Sequence, residues 1–123
     1  MQLGDSELRR MNSSSDLPKV NARLSTLLSE SIEEALGSLL GEPVKQAIYE
    51  GLEIQGLRKH QIPEHLPRFD TFLEDTLGTV GRVIERQIAK RLYTQLGLKL
   101  VEVQDYALTD YVDMVSRAEQ LAN

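Results

Sequence analysis

Residues 78–98 read GTVGRVIERQIAKRLYTQLGL, and the fold follows from how this stretch winds. At about 100° per residue, Val80, Ile84, Ile88, Leu92 and Leu96 gather on one broad apolar side. Arg82, Arg86 and Lys90, with Tyr93 beside them, fall on the other side. The segment predicts one amphipathic helix, preceded by Gly78 as the terminator of the element before it, capped by Thr79 and left through Gly97. The rest of the chain reads as material that covers the apolar side.

Working back from Gly78, a short helix over 68–77 carries Phe69, Phe72, Leu73 and Leu77. Before it, QGLRKHQIPEHLP at 55–67 is a connection, because two prolines and a glycine forbid a continuous helix. Leu57, Ile62 and Leu66 are expected to tuck into the core. Glu42-Pro43 opens another helix with Val44, Ala47, Ile48 and Leu52 inward. Gly51 inside it costs about 1 kcal/mol against alanine, which points to a close approach there. Gly37 and Gly41 break a longer first helix in which Val20, Leu24, Leu27, Leu28, Ile32, Ala35, Leu36 and Leu39 recur at helical spacing. Asp16 and Pro18 mark its start. Leu28, Ile32, Ala35 and Leu39 step 4-3-4. Packing on its own domain is the main reading of this helix, and pairing of Leu24, Leu28 and Ile32 with a second copy of the chain is the alternative. Residues 1–16 form a polar, flexible tail in which Ser13, Ser14 and Ser15 could accept phosphate.

Working forward from Gly97, LKLVEV at 98–103 has β-like composition but no second strand to pair with. It is expected to be an extended connector, with a strand paired across a dimer as the lesser reading. A last helix over about 105–121 turns Leu108, Tyr111, Val112, Val115 and Ala118 inward and Asp110, Asp113 and Arg117 outward. The expectation is an all-α, single-domain bundle of about five helices over 17–123. The bundle can be divided into two pseudo-repeated hairpins. Leu36-Gly37-Ser38 aligns with Leu77-Gly78-Thr79, and Gly41, Val44, Ile48 and Leu52 align with Gly81, Ile84, Ile88 and Leu92.

A chain of 123 residues has room for one domain, and with no cysteine it holds no disulfide, thiolate nucleophile or sulfur-ligated metal. It has neither the apolar core of a signal peptide nor a run long enough to span a bilayer, so a cytoplasmic location is expected. Fourteen basic residues against nineteen acidic ones give a net charge of −5. The charges are segregated, however. Residues 79–99 carry five cations against Glu85, and residues 100–123 carry five carboxylates against Arg117. Neighbouring segments of opposite sign attract one another within one fold.

Enzymatic motifs are lacking. His60 and His65 share a loop with Glu64 and Asp70 nearby, but loop histidines are usually solvated and neither a metal nor a cofactor is expected. Glu33-Glu34 and Glu74-Asp75 are adjacent pairs whose side chains diverge around a helix. The glycine corners lack the Gly-Lys-Ser/Thr ending of a phosphate loop. Arg82, Arg86 and Lys90 form a column about 12 Å long that, with Tyr93, could meet a protein partner or, as the alternative, nucleic-acid phosphates. The competing reading is that the column pairs internally with Asp105, Asp110 or Asp113.

Three segments also carry a family resemblance: VKQAIYEGLE at 44–53, the Ile62-Pro63 loop, and FLEDTLGTVGRVIERQIAKRLYTQLGL at 72–98. Residues 31–118 resemble a small archaeal family, the fifth Nitrosopumilus output domain group. In that group a Phe-x-x-x-Leu helix leads through a glycine to an IE-x-x-I-x-x-x-LY helix, here Ile84-Glu85, Ile88 and Leu92-Tyr93. The resemblance implies an all-helical fold and a role as an output or interaction module in signalling. It brings no catalytic residues. Dimerisation is expected only from the alternative reading of Leu24, Leu28 and Ile32.

Overall fold

The computed structural model describes residues 20–122. Five helices follow one another: α1 (Ala22–Leu40), α2 (Glu42–Ile54), α3 (Leu66–Leu77), α4 (Thr79–Gln95) and α5 (Leu108–Ala122). A six-residue 3-10 segment, Lys59–Glu64, lies in the connection between α2 and α3. Among the described residues there is no strand, and the chain forms a single helical domain. The polar tail, its serines and the Asp16–Pro18 start signal lie outside the described residues.

Each boundary has a local cause. Asn21 caps α1, its side-chain oxygen accepting from the Leu24 N–H at 2.8 Å. Val20 therefore precedes the helix. Gly41 and Gly78, both at positive φ, turn α1 into α2 and α3 into α4. Gly78 itself, and not Thr79, is the capping position of α4, and no side chain caps that end. Gly37 does not break α1 but lies inside it. The two corners are therefore Gly41 and Gly78, and the alignment that matched Gly37 with Gly78 does not carry through the corners residue by residue.

The core runs along α4, which packs on α1, α3 and α5. Leu24, Leu28, Ile32, Ala35 and Leu36 of α1 meet Ile84, Ile88, Ala89 and Leu92 of α4 with almost no exposed surface. The proposed dimerisation residues Leu24, Leu28 and Ile32 are thus spent inside the domain, and their stripe is not a free seam. Two expected core positions face water instead: Val80 on α4 and Val44 on α2 are about half exposed. Ala47 and Ala118 are exposed as well. Lys45 and Gly81 take the places next to these valines on the buried stripes.

Gly81 lies so close to α3 that a Cβ on it would stand 2.6 Å from the Leu73 carbonyl oxygen. Gly51 is likewise closed over, in its case by the Phe72 ring, which would lie 2.6 Å from an added Cβ. Leu57, Ile62 and Leu66 anchor the connection in the core as expected. Residues 98–103 are neither helix nor strand, and they lead back to α5.

Candidate functional site

The basic column stands on α4 where the sequence puts it, but much of it is occupied. Arg82 donates through Nε to Glu74 at 2.9 Å and through a terminal nitrogen to the Asp105 carbonyl at 3.0 Å. Lys90 meets Glu102 at 2.9 Å, and Arg86 reaches the same carboxylate at 3.8 Å. The Lys90 ammonium holds the Glu102 carboxyl below its ordinary range. Internal pairing therefore exists, with Glu102 and Glu74 in the roles expected of Asp105, Asp110 or Asp113.

Tyr93 shares the side of Arg82 and Arg86, lying about 20° from each at 100° per residue. That side is covered by the C-terminal segment, and Tyr93 is buried. Its hydroxyl donates to the Tyr111 carbonyl at 2.8 Å, and the two rings meet edge to face. Burial pushes its phenol pKa up to about 12. Tyr93 is thus a tie between α4 and α5 and offers no surface to a ligand. The Tyr111 hydroxyl in turn accepts from the Val103 N–H at 2.9 Å and donates to the Val103 carbonyl at 3.2 Å.

Residues 98–103 are fixed beside the exposed arc of α4 by Glu102 and Val103. Val80 and Val83, each 48% exposed, stand three residues apart on that arc. Val101, 72% exposed, and Val103 flank Glu102. Open valines therefore stand on α4, at 80 and 83, and on the connector at either side of Glu102, the partner of Lys90.

A second cluster lies at the first turn of α5, whose amides have no acceptor within the helix. Three carboxylates supply one. Asp110 accepts from the Ala107 N–H at 2.8 Å, and Asp70 of α3 accepts from the Thr109 N–H at 2.9 Å and its hydroxyl at 2.6 Å. Glu85 of α4 accepts from the Leu108 N–H at 3.4 Å. Burial pushes the Asp70 carboxyl up to about 6, against the pull of the Thr109 bonds. Burial, and then Asp70 and Glu74 nearby, hold the Glu85 carboxyl well above its ordinary range.

A third cluster joins α1, α2 and the 3-10 segment. The Glu33 carboxylate accepts from the buried Lys45 ammonium, from the Tyr49 hydroxyl at 3.0 Å and from Lys59 at 2.8 Å. Lys45 also meets Glu42 at 2.7 Å. With these cations beside it, the Glu33 carboxyl is lowered to about 2. Lys45, Asp70 and Glu85 were not singled out as buried charges from the sequence, although a signal exists. Each sits three residues before a core residue of its own helix, at Ile48, Leu73 and Ile88. A charge inside an apolar stripe must find a partner or lose its charge.

A shallow groove of about 340 Å³ between Gln55 and α3 is lined by Arg68, Phe72 and Asp75 among others. Its arginine already donates to the Gln55 carbonyl at 2.7 Å. His60 and His65 stand at either end of the 3-10 segment, and among the described residues no group of three or more His, Asp or Glu side chains could hold a metal ion. No described helix is long and apolar enough to cross a membrane. No family model, curated protein or solved structure matches the chain.

Proposed function

We propose that this chain is a non-enzymatic protein-interaction module of the regulatory or signalling-output kind. Its contact surface is the exposed arc of α4 with the adjoining connector. The observation that carries the reading is the set of open valines, Val80 and Val83 on α4 and Val101 and Val103 on either side of Glu102, the partner of Lys90. Apolar side chains left in water beside charges suit a partner that brings its own apolar patch with a polar rim. The resemblance to the Nitrosopumilus output domain group carries the same implication. The nucleic-acid alternative draws less support, because Arg82, Arg86 and Lys90 already face carboxylates and have less charge to offer phosphates.

The test is affinity purification from the native cell extract with the wild type and with Val83→Glu/Val101→Glu. Both positions are exposed, so the double variant is expected to melt within about 1 kcal/mol of the wild type. It should lose a protein that the wild type retains. Identical retained sets would overturn the reading. Sedimentation of both proteins decides whether the partner is a second copy of the chain.

A further inference from the structure

The carboxylates of Asp70 and Glu85 are both more than nine-tenths buried, and each keeps one oxygen without a hydrogen-bond donor. Both face the first turn of α5. Glu85 has the weaker support of the two. Its amide donor, Leu108, is at 3.4 Å, too long for the short bond that an ionised carboxylate makes with a backbone N–H. The charges around it are mostly of its own sign. Asp70 and Glu74 come from α3, and Asp110 of α5 acts on Asp70. Arg82, one turn away on α4, is directed to Glu74 and to the carbonyls of Asp105 and Tyr106. Burial beside Asp70 and Glu74 favours the neutral form of Glu85, and its donorless oxygen is the place for the proton.

We infer that α5 is latched to the bundle by a proton on Glu85, and that loss of this proton to solvent releases α5. While the proton is present, Glu85 is neutral, and Asp70 and Asp110 hold the negative charge at the helix start. When it leaves, three carboxylates crowd under α5, and the buried Glu85 charge has no cation to pair with it there. Undocking exposes Leu108, Tyr111, Val112 and Val115 and frees the connector that Tyr111 holds through Val103. The helices α1 to α4 keep their own core, because α1 packs on α4 independently of α5. The latch is independent of which surface binds a partner.

The experiment is a pH titration of the full chain from 5 to 10 with ¹³C labelling, reading the Glu85 carboxyl carbon and side-chain methyl signals. The Glu85 carboxyl should titrate far above the ordinary carboxylate range, in the same step in which the Leu108 and Val112 methyls lose their native shifts. The Leu28 and Ile32 methyls of α1 should hold through that step. Glu85→Gln should keep α5 docked to pH 10. Asp70→Asn removes a like charge and should move the Glu85 step to lower pH, which keeps the test decisive even where the glutamine variant folds poorly. Ordinary titration of Glu85 with α5 still docked overturns the latch. So does an undocking step shared by wild type and Glu85→Gln, or a Glu85 step that Asp70→Asn leaves in place.

Discussion

Gly81 and Gly51 close similar gaps with different neighbours, and the difference sets what alanine would do at each. An alanine Cβ at 81 would meet the Leu73 carbonyl and the Glu74 nitrogen, backbone atoms that move only with α3 itself. Gly81→Ala is expected to cost about 1–3 kcal/mol, the usual range for overpacking. At 51 the obstacle is the half-buried Phe72 ring, which can swing aside, and alanine gains about 1 kcal/mol of helix propensity. Gly51→Ala should therefore lie close to the wild type. Denaturant unfolding of both variants checks the pair, and equal losses would refute the distinction. The glycine at 51 was legible as a point of close approach because it interrupts a helix. Nothing in the sequence says that the approaching group is an aromatic ring.

Among the helices, α4 was the most legible and also the most misleading. A strict i, i+4 series drifts about 40° per step, so Val80 and Leu96 differ by about 160° around the axis. The two ends of such a series cannot both stay on one buried face, which is why Val80 emerges into water. Val44, at the start of the shorter series in α2, stands at the edge of its buried stripe and also emerges. The position of Tyr93 around α4 was read correctly, but what covers it depends on the return path of residues 98–107, which no spacing encodes. The ion pair that guides this path can be tested. Lys90→Glu should speed amide exchange at 101–103, and Lys90→Glu/Glu102→Lys should slow it again. No recovery in the double variant would mean that the pair does not hold the connector.

For the whole molecule, two sets of carboxyls oppose one another with pH. Glu33 at about 2 and Glu102, also lowered, stabilise the fold above their unfolded value of 4.5, and that contribution is lost as pH falls. Asp70 and Glu85 are raised, so their contribution is complete below 3.8 and 4.5 and is lost as pH rises. For Asp70 the loss falls between 3.8 and about 6, and for Glu85 it continues further into the alkaline range. Thermal melting should therefore peak near pH 4.5 and decline on both sides. Glu33→Gln should shrink the acid arm to what Glu102 supplies, and Glu85→Gln should flatten the alkaline one. A melting temperature constant from pH 5 to 8 would contradict the buried carboxyls. Helix count and order were legible because glycines at 41, 78 and 97 punctuate strong apolar periods. The buried charges were only half legible: each stands on an apolar stripe, but apart from Glu42 beside Lys45 the groups that partner them lie on other elements.

The first turn of α5 draws two of its acceptors, Asp70 and Glu85, from α3 and α4, and this has a consequence in time. An isolated α5 can satisfy its start only through Asp110, so the helix should consolidate only after the α3–α4 hairpin stands. The folding transition state would then contain α1, α3 and α4 but little of α5. Thr109→Ala, which takes a hydroxyl donor from Asp70, should accelerate unfolding and leave the folding rate nearly unchanged. Stopped-flow rates for this variant would show whether the C-terminal helix is the last piece in and the first piece out.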